Sequence, residues 1–159
     1  MTSSQAVNIL LVEDDKIDAK AFMRSMQRMK LANPIVHAKD GVEGWEMLQT
    51  LPRPNMVILD INMPRMNGLE LLRKIRADEN LCDTIAFVLT TSNDEQDKFE
   101  AYDLNVAGYM LKSEVGDSFM RTVALVESYW SVVEFPNIRS GVGPGAASPK
   151  PVALHRHLG

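Results

Sequence analysis

Five short apolar runs punctuate the chain: VNILLV (Val7 to Val12), PIVHA (Pro34 to Ala38), NMVILD (Asn55 to Asp60), TIAFVLT (Thr84 to Thr90) and AGYML (Ala107 to Leu111). Their length and near-continuous apolar character suit buried parallel strands, which are covered on both faces and so need not alternate. Between them, hydrophobic residues recur at spacings of three and four. Ala19, Phe22, Met26 and Met29 form one stripe, Leu69, Leu72 and Ile75 a second, and Phe119, Val123, Val126 and Trp130 a third. Each is the pattern of a helix that turns one face to a sheet. GVEGWEMLQ, carrying Trp45 and Leu48, predicts a shorter helix between the second and third strands, and Ser92 with Glu95 at capping-box spacing predicts a helix start after the fourth.

Strands and helices thus alternate in the order (βα)5. Connections this short require a parallel sheet with right-handed crossovers and helices on both faces, an α/β doubly wound five-stranded architecture. From Asn137 onward Gly, Pro, Ser and Ala occur without periodicity, which predicts one domain over residues 1–136 and a flexible tail over 137–159. A chain of 159 residues, 45% hydrophobic and 24% charged, suits one such domain. The formal charge of -4, with no basic stripe, argues against nucleic acid or an anionic membrane surface as a direct partner. A lone cysteine, Cys82, excludes an internal disulfide framework and a zinc ribbon, and His37, His155 and His157 lack carboxylate partners at ligand spacing. With no signal peptide and no apolar run near the ~20 residues of a membrane helix, the expected location is the cytoplasm.

The candidate chemistry lies where the strands end. In VILDINMPRMNG (residues 57–68) an apolar run drops onto Asp60 and then breaks into Pro and Gly. Ligands of open α/β sheets bind beyond the carboxyl ends of the strands, and in a doubly wound sheet the first, third and fourth strands are central. Glu13, Asp14 and Asp15 follow the first strand, Thr90 ends the fourth, and Lys112 follows the fifth. Carboxylates held this close repel one another when ionised, and a hard divalent cation relieves the repulsion; Mg²⁺ takes oxygen ligands at about 2.0–2.1 Å. A carboxylate beside Mg²⁺ can be a ligand, a base or a nucleophile. A hydroxyl and an ammonium aimed at it would neutralise extra negative oxygens, which favours Asp60 as a phosphoryl acceptor.

The arrangement closely resembles the receiver domain of bacterial two-component response regulators, a flavodoxin-like fold, over roughly Val7 to Val133. LLVEDD matches the family's acidic pocket, LDINMPRMNG its phosphorylation loop, and Thr90, Tyr109 and Lys112 its hydroxyl, aromatic and lysine positions. The resemblance implies Asp60 as phosphoacceptor and metal ligand, Asp14 as direct ligand, Glu13 acting through metal-bound water, and the backbone carbonyl of Asn62 as a further ligand. It implies Thr90 and Lys112 on the phosphoryl oxygens, and Thr90 and Tyr109 as a coupled switch. The implied function is a phosphorelay switch charged by a sensor histidine kinase and read through altered protein contacts. Such a domain is not an enzyme, although it assists its own phosphorylation and dephosphorylation. Two positions depart from the family: Ser113 stands where a proline with a cis peptide is usual, and Thr91 where Ala or Gly is usual. A cis bond to Ser costs about 2.5–4 kcal/mol, so a trans, differently shaped loop is expected. Ser113 together with ALVESYWSVVEFP is similar to single-domain regulators paired with phytochrome kinases, which implies such a kinase as partner and a homodimer through the fourth helix, fifth strand and fifth helix.

Two readings compete. A haloacid-dehalogenase-like phosphatase also uses an aspartyl nucleophile with Mg²⁺, but it needs a second Asp two positions on as general acid, where this chain has Asn62. A flavodoxin-like flavin binder needs a hydroxyl- and glycine-rich loop after the first strand, and EDDKID would repel a phosphate.

Overall fold

In a computed structural model of the chain, residues 7–31, 33–54, 56–115 and 119–134 are described. The elements are β1 (Ile9–Val12), α1 (Lys16–Arg28), β2 (Ile35–Ala38), α2 (Gly41–Thr50), β3 (Met56–Leu59), α3 (Gly68–Ala77), β4 (Ile85–Thr90), α4 (Glu95–Asp103), β5 (Gly108–Leu111), α5 (Lys112–Val115) and α6 (Met120–Val132). The strands form one sheet in the order β2-β1-β3-β4-β5, every pairing parallel. This is the expected doubly wound fold, with β1, β3 and β4 inside.

Strand geometry sends alternate side chains to opposite faces, and this divides the core in two. Leu10, Val12, Val57, Leu59 and Val88 meet Leu48, Leu71, Leu72 and Ile75 on one side. Ile9, Leu11, Ile58, Phe87 and Leu89 meet Phe22, Met26, Val123 and Val126 on the other. Each such side chain contributes about 1.5–3 kcal/mol when fully buried. The predicted inner stripes of α1, α3 and α6 all face these layers, and Tyr129 adds an edge-on contact with Phe87 at 5.2 Å between ring centroids.

The structure corrects several expectations. β2 is an edge strand rather than a buried one, and its Val36 is 40% exposed. The single helix expected after the fifth strand is split into α5, which starts directly at Lys112, and α6. Phe119 is buried as predicted, but as the residue before α6, in a left-handed conformation with φ 56 and no side-chain cap. The start of α4 is capped by Asp94, which accepts from the Asp97 amide at 3.0 Å, instead of by Ser92, whose hydroxyl donates to the Asp97 carboxylate at 2.6 Å. Both residue types cap well, and an acidic side chain is favoured further by the positive end of the helix. One expectation is met: the Lys112–Ser113 peptide is trans, like every other peptide among the described residues. The predicted tail, 137–159, lies outside them.

Candidate functional site

The carboxyl ends of β1 and β3 are held in register by the sheet itself. The Asp60 amide donates to the Val12 carbonyl at 3.0 Å and the Glu13 amide to the Ala38 carbonyl at 2.9 Å. Both acids are buried, at 5% and 4% exposure, while Asp14 is exposed. Carboxylate oxygens of Glu13, Asp14 and Asp60 lie within 4.8 Å of one another, a set of hard oxygen donors of the kind a small divalent cation requires. Asp15 does not join them. It is the N-cap of α1 and accepts from the Ile17 and Asp18 amides at 2.8 and 3.1 Å.

Asp60 is fixed from several directions. Its Oδ1 accepts from the Ile61 amide at 2.7 Å and its Oδ2 from Lys112 Nζ at 3.1 Å. Behind it, α3 begins against its backbone: a Cβ on Gly68 would stand 2.0 Å from the Asp60 carbonyl oxygen, so only glycine allows this approach. The Lys112 ammonium also donates to Glu13 and, at 2.8 Å, to Asp18. Burial pushes the Glu13 carboxyl up to about 9, with the Asp60 charge adding to the push and Lys112 opposing it. For Lys112 burial acts downward, but hydrogen bonds to Asp18 and Glu13 together with the charges of Asp60 and Glu13 outweigh it and the net shift is upward.

Of the remaining predicted residues, Asn62 is exposed in the loop two positions past Asp60. Thr90 is fully buried at the end of β4, and its hydroxyl accepts from the Ser92 amide at 3.2 Å. Tyr109 donates to the Ser92 carbonyl at 2.8 Å with its ring half-buried against the core, and burial pushes its phenol up. Thr90 and Tyr109 are therefore joined through one residue, Ser92. The structure gathers Glu13, Asp14, Asp60 and Lys112 in one cluster and leaves Thr90 and Tyr109 linked on the β4 side.

Three contributors escape the sequence reading. Asp18 follows Asp14 by four positions, but nothing local says that it reaches a lysine 94 positions away. His37 donates from Nε2 to the Glu13 carbonyl at 2.7 Å, a contact that needs the pairing of β2 with β1. Arg65 grips Asp40 with two hydrogen bonds, at 2.8 and 3.1 Å, and so ties the loop after Asp60 to the start of α2.

The comparisons with known proteins agree with this geometry. The profile of the family described as "Response regulator receiver domain" matches residues 9–124. The chain belongs to that family, and is a receiver domain of two-component signalling. It is 33% identical over 128 residues to the response regulator Rcp1 of Synechocystis sp., covering 77% of this chain and 87% of that protein. The phosphorylated cyanobacterial phytochrome response regulator RcpA superposes with a TM-score of 0.76 at 30% identity, over 83% of this chain and 99% of that one. The Mn(2+)-bound form of Rcp1 gives 0.74 at 32% identity, over 82% and 99%. The dehalogenase-like phosphatase reading is left without support.

Proposed function

We propose that Asp60 accepts a phosphoryl group from a sensor histidine kinase and that the resulting aspartyl phosphate is the signal. The observation that carries this is the Lys112 ammonium, held 3.1 Å from Asp60 Oδ2 beside the three-carboxylate cluster. In the transfer, an Asp60 oxygen bonds to phosphorus while the P–N bond of the phosphohistidine breaks and its electron pair returns to the imidazole. Glu13, Asp14, Asp60 and the Asn62 backbone carbonyl would hold Mg²⁺, which supplies neutralisation of the phosphoryl charge. Lys112 approaches the same oxygens with its ammonium. Thr90 is assigned to them as well, by release of its hydroxyl from Ser92. That release would loosen the segment to which Tyr109 is bonded, and so couple the site to α4 and β5.

The likeness to phytochrome-associated regulators supports a phytochrome kinase as donor. We assign the chain to the cytoplasm, where a kinase finds its ATP; no helix among the described residues is long and apolar enough to cross a membrane. A homodimer through α4, β5 and α6 is favoured by the edge position of β5 and by exposed Phe99, Tyr102 and Leu125 on the flanking helices. The assignment of Asp60 is tested by intact-mass measurement after incubation with acetyl phosphate and Mg²⁺. Wild type is expected to gain one phosphoryl group and to lose the gain on chelation, and Asp60→Asn to gain none. An Asp60→Asn protein modified like wild type would sink the reading.

A further inference from the structure

Lys112 donates to three carboxylates, and they are not equivalent. Glu13 and Asp60 belong to the set whose oxygens converge within 4.8 Å as a cation site. Asp18 does not. It stands on the first turn of α1, and its Oδ2 is 2.8 Å from Lys112 Nζ, closer than Asp60 Oδ2 at 3.1 Å. The lysine side chain is 11% exposed, and Asp18 lies beside it in a small recess otherwise walled mainly by apolar groups, Phe22 and Phe119 among them.

We propose that Asp18 is a positioning residue that anchors the Lys112 ammonium through the whole phosphoryl cycle, as the one carboxylate partner among the described residues that neither cation nor phosphoryl group takes away. The inference rests on the reading of Asp60 as acceptor. When a cation arrives it competes for Glu13 and Asp60, and phosphorylation then replaces one Asp60 oxygen's charge with a P–O bond. Lys112 would be left on a flexible four-carbon stem, free to swing, were those its only partners. Its ammonium has three N–H donors. One held by Asp18 leaves the others for a phosphoryl oxygen, so the donor is aimed before the group arrives. The backbone gives little help, because Lys112 is the first residue of α5, reached through ordinary trans peptides.

Asp18→Asn keeps the shape and removes the charge. It is expected to slow phosphorylation by acetyl phosphate about tenfold, the scale of a hydrogen bond between charged groups. Asp18→Glu should recover part of the rate. In a Lys112→Ala background, Asp18→Asn should change the rate by less than about twofold, since the two residues act as a unit. An equal loss in both backgrounds, or equal defects in the Asn and Glu variants, would mean that Asp18 acts on the cation or on α1 packing and would overturn the proposal. A second readout uses the metal-free, unphosphorylated protein: ¹⁵N NMR of the Lys112 ammonium should show faster proton exchange with water in Asp18→Asn. Unchanged exchange, or an unchanged rate, also overturns it. A wild-type protein that takes no phosphoryl group on Asp60 would instead bring down the parent reading, and the exchange measurement would still decide whether Asp18 anchors the lysine.

Discussion

At the scale of single residues the site depends on two close approaches, one of charge and one of backbone. Removing Lys112 leaves Glu13 and Asp60 without their shared cation, so Lys112→Ala is expected to keep Mg²⁺ binding, followed by titration calorimetry, while losing much of the change in structure on phosphorylation. Weaker metal binding in that variant would contradict the competition between ammonium and cation. Gly68→Ala forces a methyl onto the Asp60 carbonyl, 2.0 Å away before any relaxation, and onto Leu59 Cδ1 at 2.8 Å. A cost of about 1–3 kcal/mol in urea unfolding is expected, with slower phosphoryl uptake because the atom displaced belongs to Asp60 itself. Glu13, Asp14, Asp60 and Lys112 were legible in the sequence because each directly follows an apolar run, and the topology of a parallel sheet decides where such residues go. Asp18 and His37 were not legible. Their partners are set by how α1 and β2 lie against β1 and β5, which no local pattern encodes.

At the scale of elements, the loop between β3 and α3 is strapped to the start of α2. The Gly41 amide donates to the Met66 carbonyl at 3.2 Å, and Arg65, at φ 66, grips Asp40, whose Oδ1 also accepts from the Glu43 amide at 2.9 Å. The Arg65 guanidinium is the main reason the Asp40 carboxyl lies below its ordinary value of 3.8, with its amide contacts adding to the effect and burial opposing it. A carboxyl depressed on folding contributes stability above its ordinary pKa and loses that contribution as pH falls through the folded value. Arg65→Ala should therefore lower the urea midpoint at pH 7, and the gap from wild type should narrow as the pH falls below the ordinary carboxyl value of 3.8 and close once Asp40 is protonated in the folded state. A gap that persists in acid would assign the effect to the backbone of Arg65 instead. Periodicity found the helices that face the sheet. It missed the split between α5 and α6, because Phe119 and Val123 keep their spacing while the chain at Phe119 turns left-handed. It also misplaced the cap of α4, because Ser92 and Asp94 both fit a cap and the positive end of the helix favours the acid.

For the whole molecule, the parallel doubly wound sheet with its first, third and fourth strands inside followed from the alternation of strands and helices, whereas the exposed surface did not follow from composition. Tyr129, on the outer helix α6, packs its ring edge-on against Phe87. On the α4 and α6 side the exposed apolar residues include Phe99, at 65% exposure, with Tyr102 and Leu125, while Ile17 is exposed on α1. Charges at Phe99 and Leu125 together should convert a dimer to a monomer in light scattering without loss of Asp60 phosphorylation; a variant that stays dimeric would move the interface elsewhere. All of this presumes that the domain is charged at one carboxylate. The direct test is to treat the protein with acetyl phosphate and Mg²⁺, reduce it with borohydride, which turns an aspartyl phosphate into homoserine, and map the peptides by mass. Homoserine at position 60 alone is predicted. Homoserine at Asp14 or another aspartate, with Asp60 intact, would contradict the account.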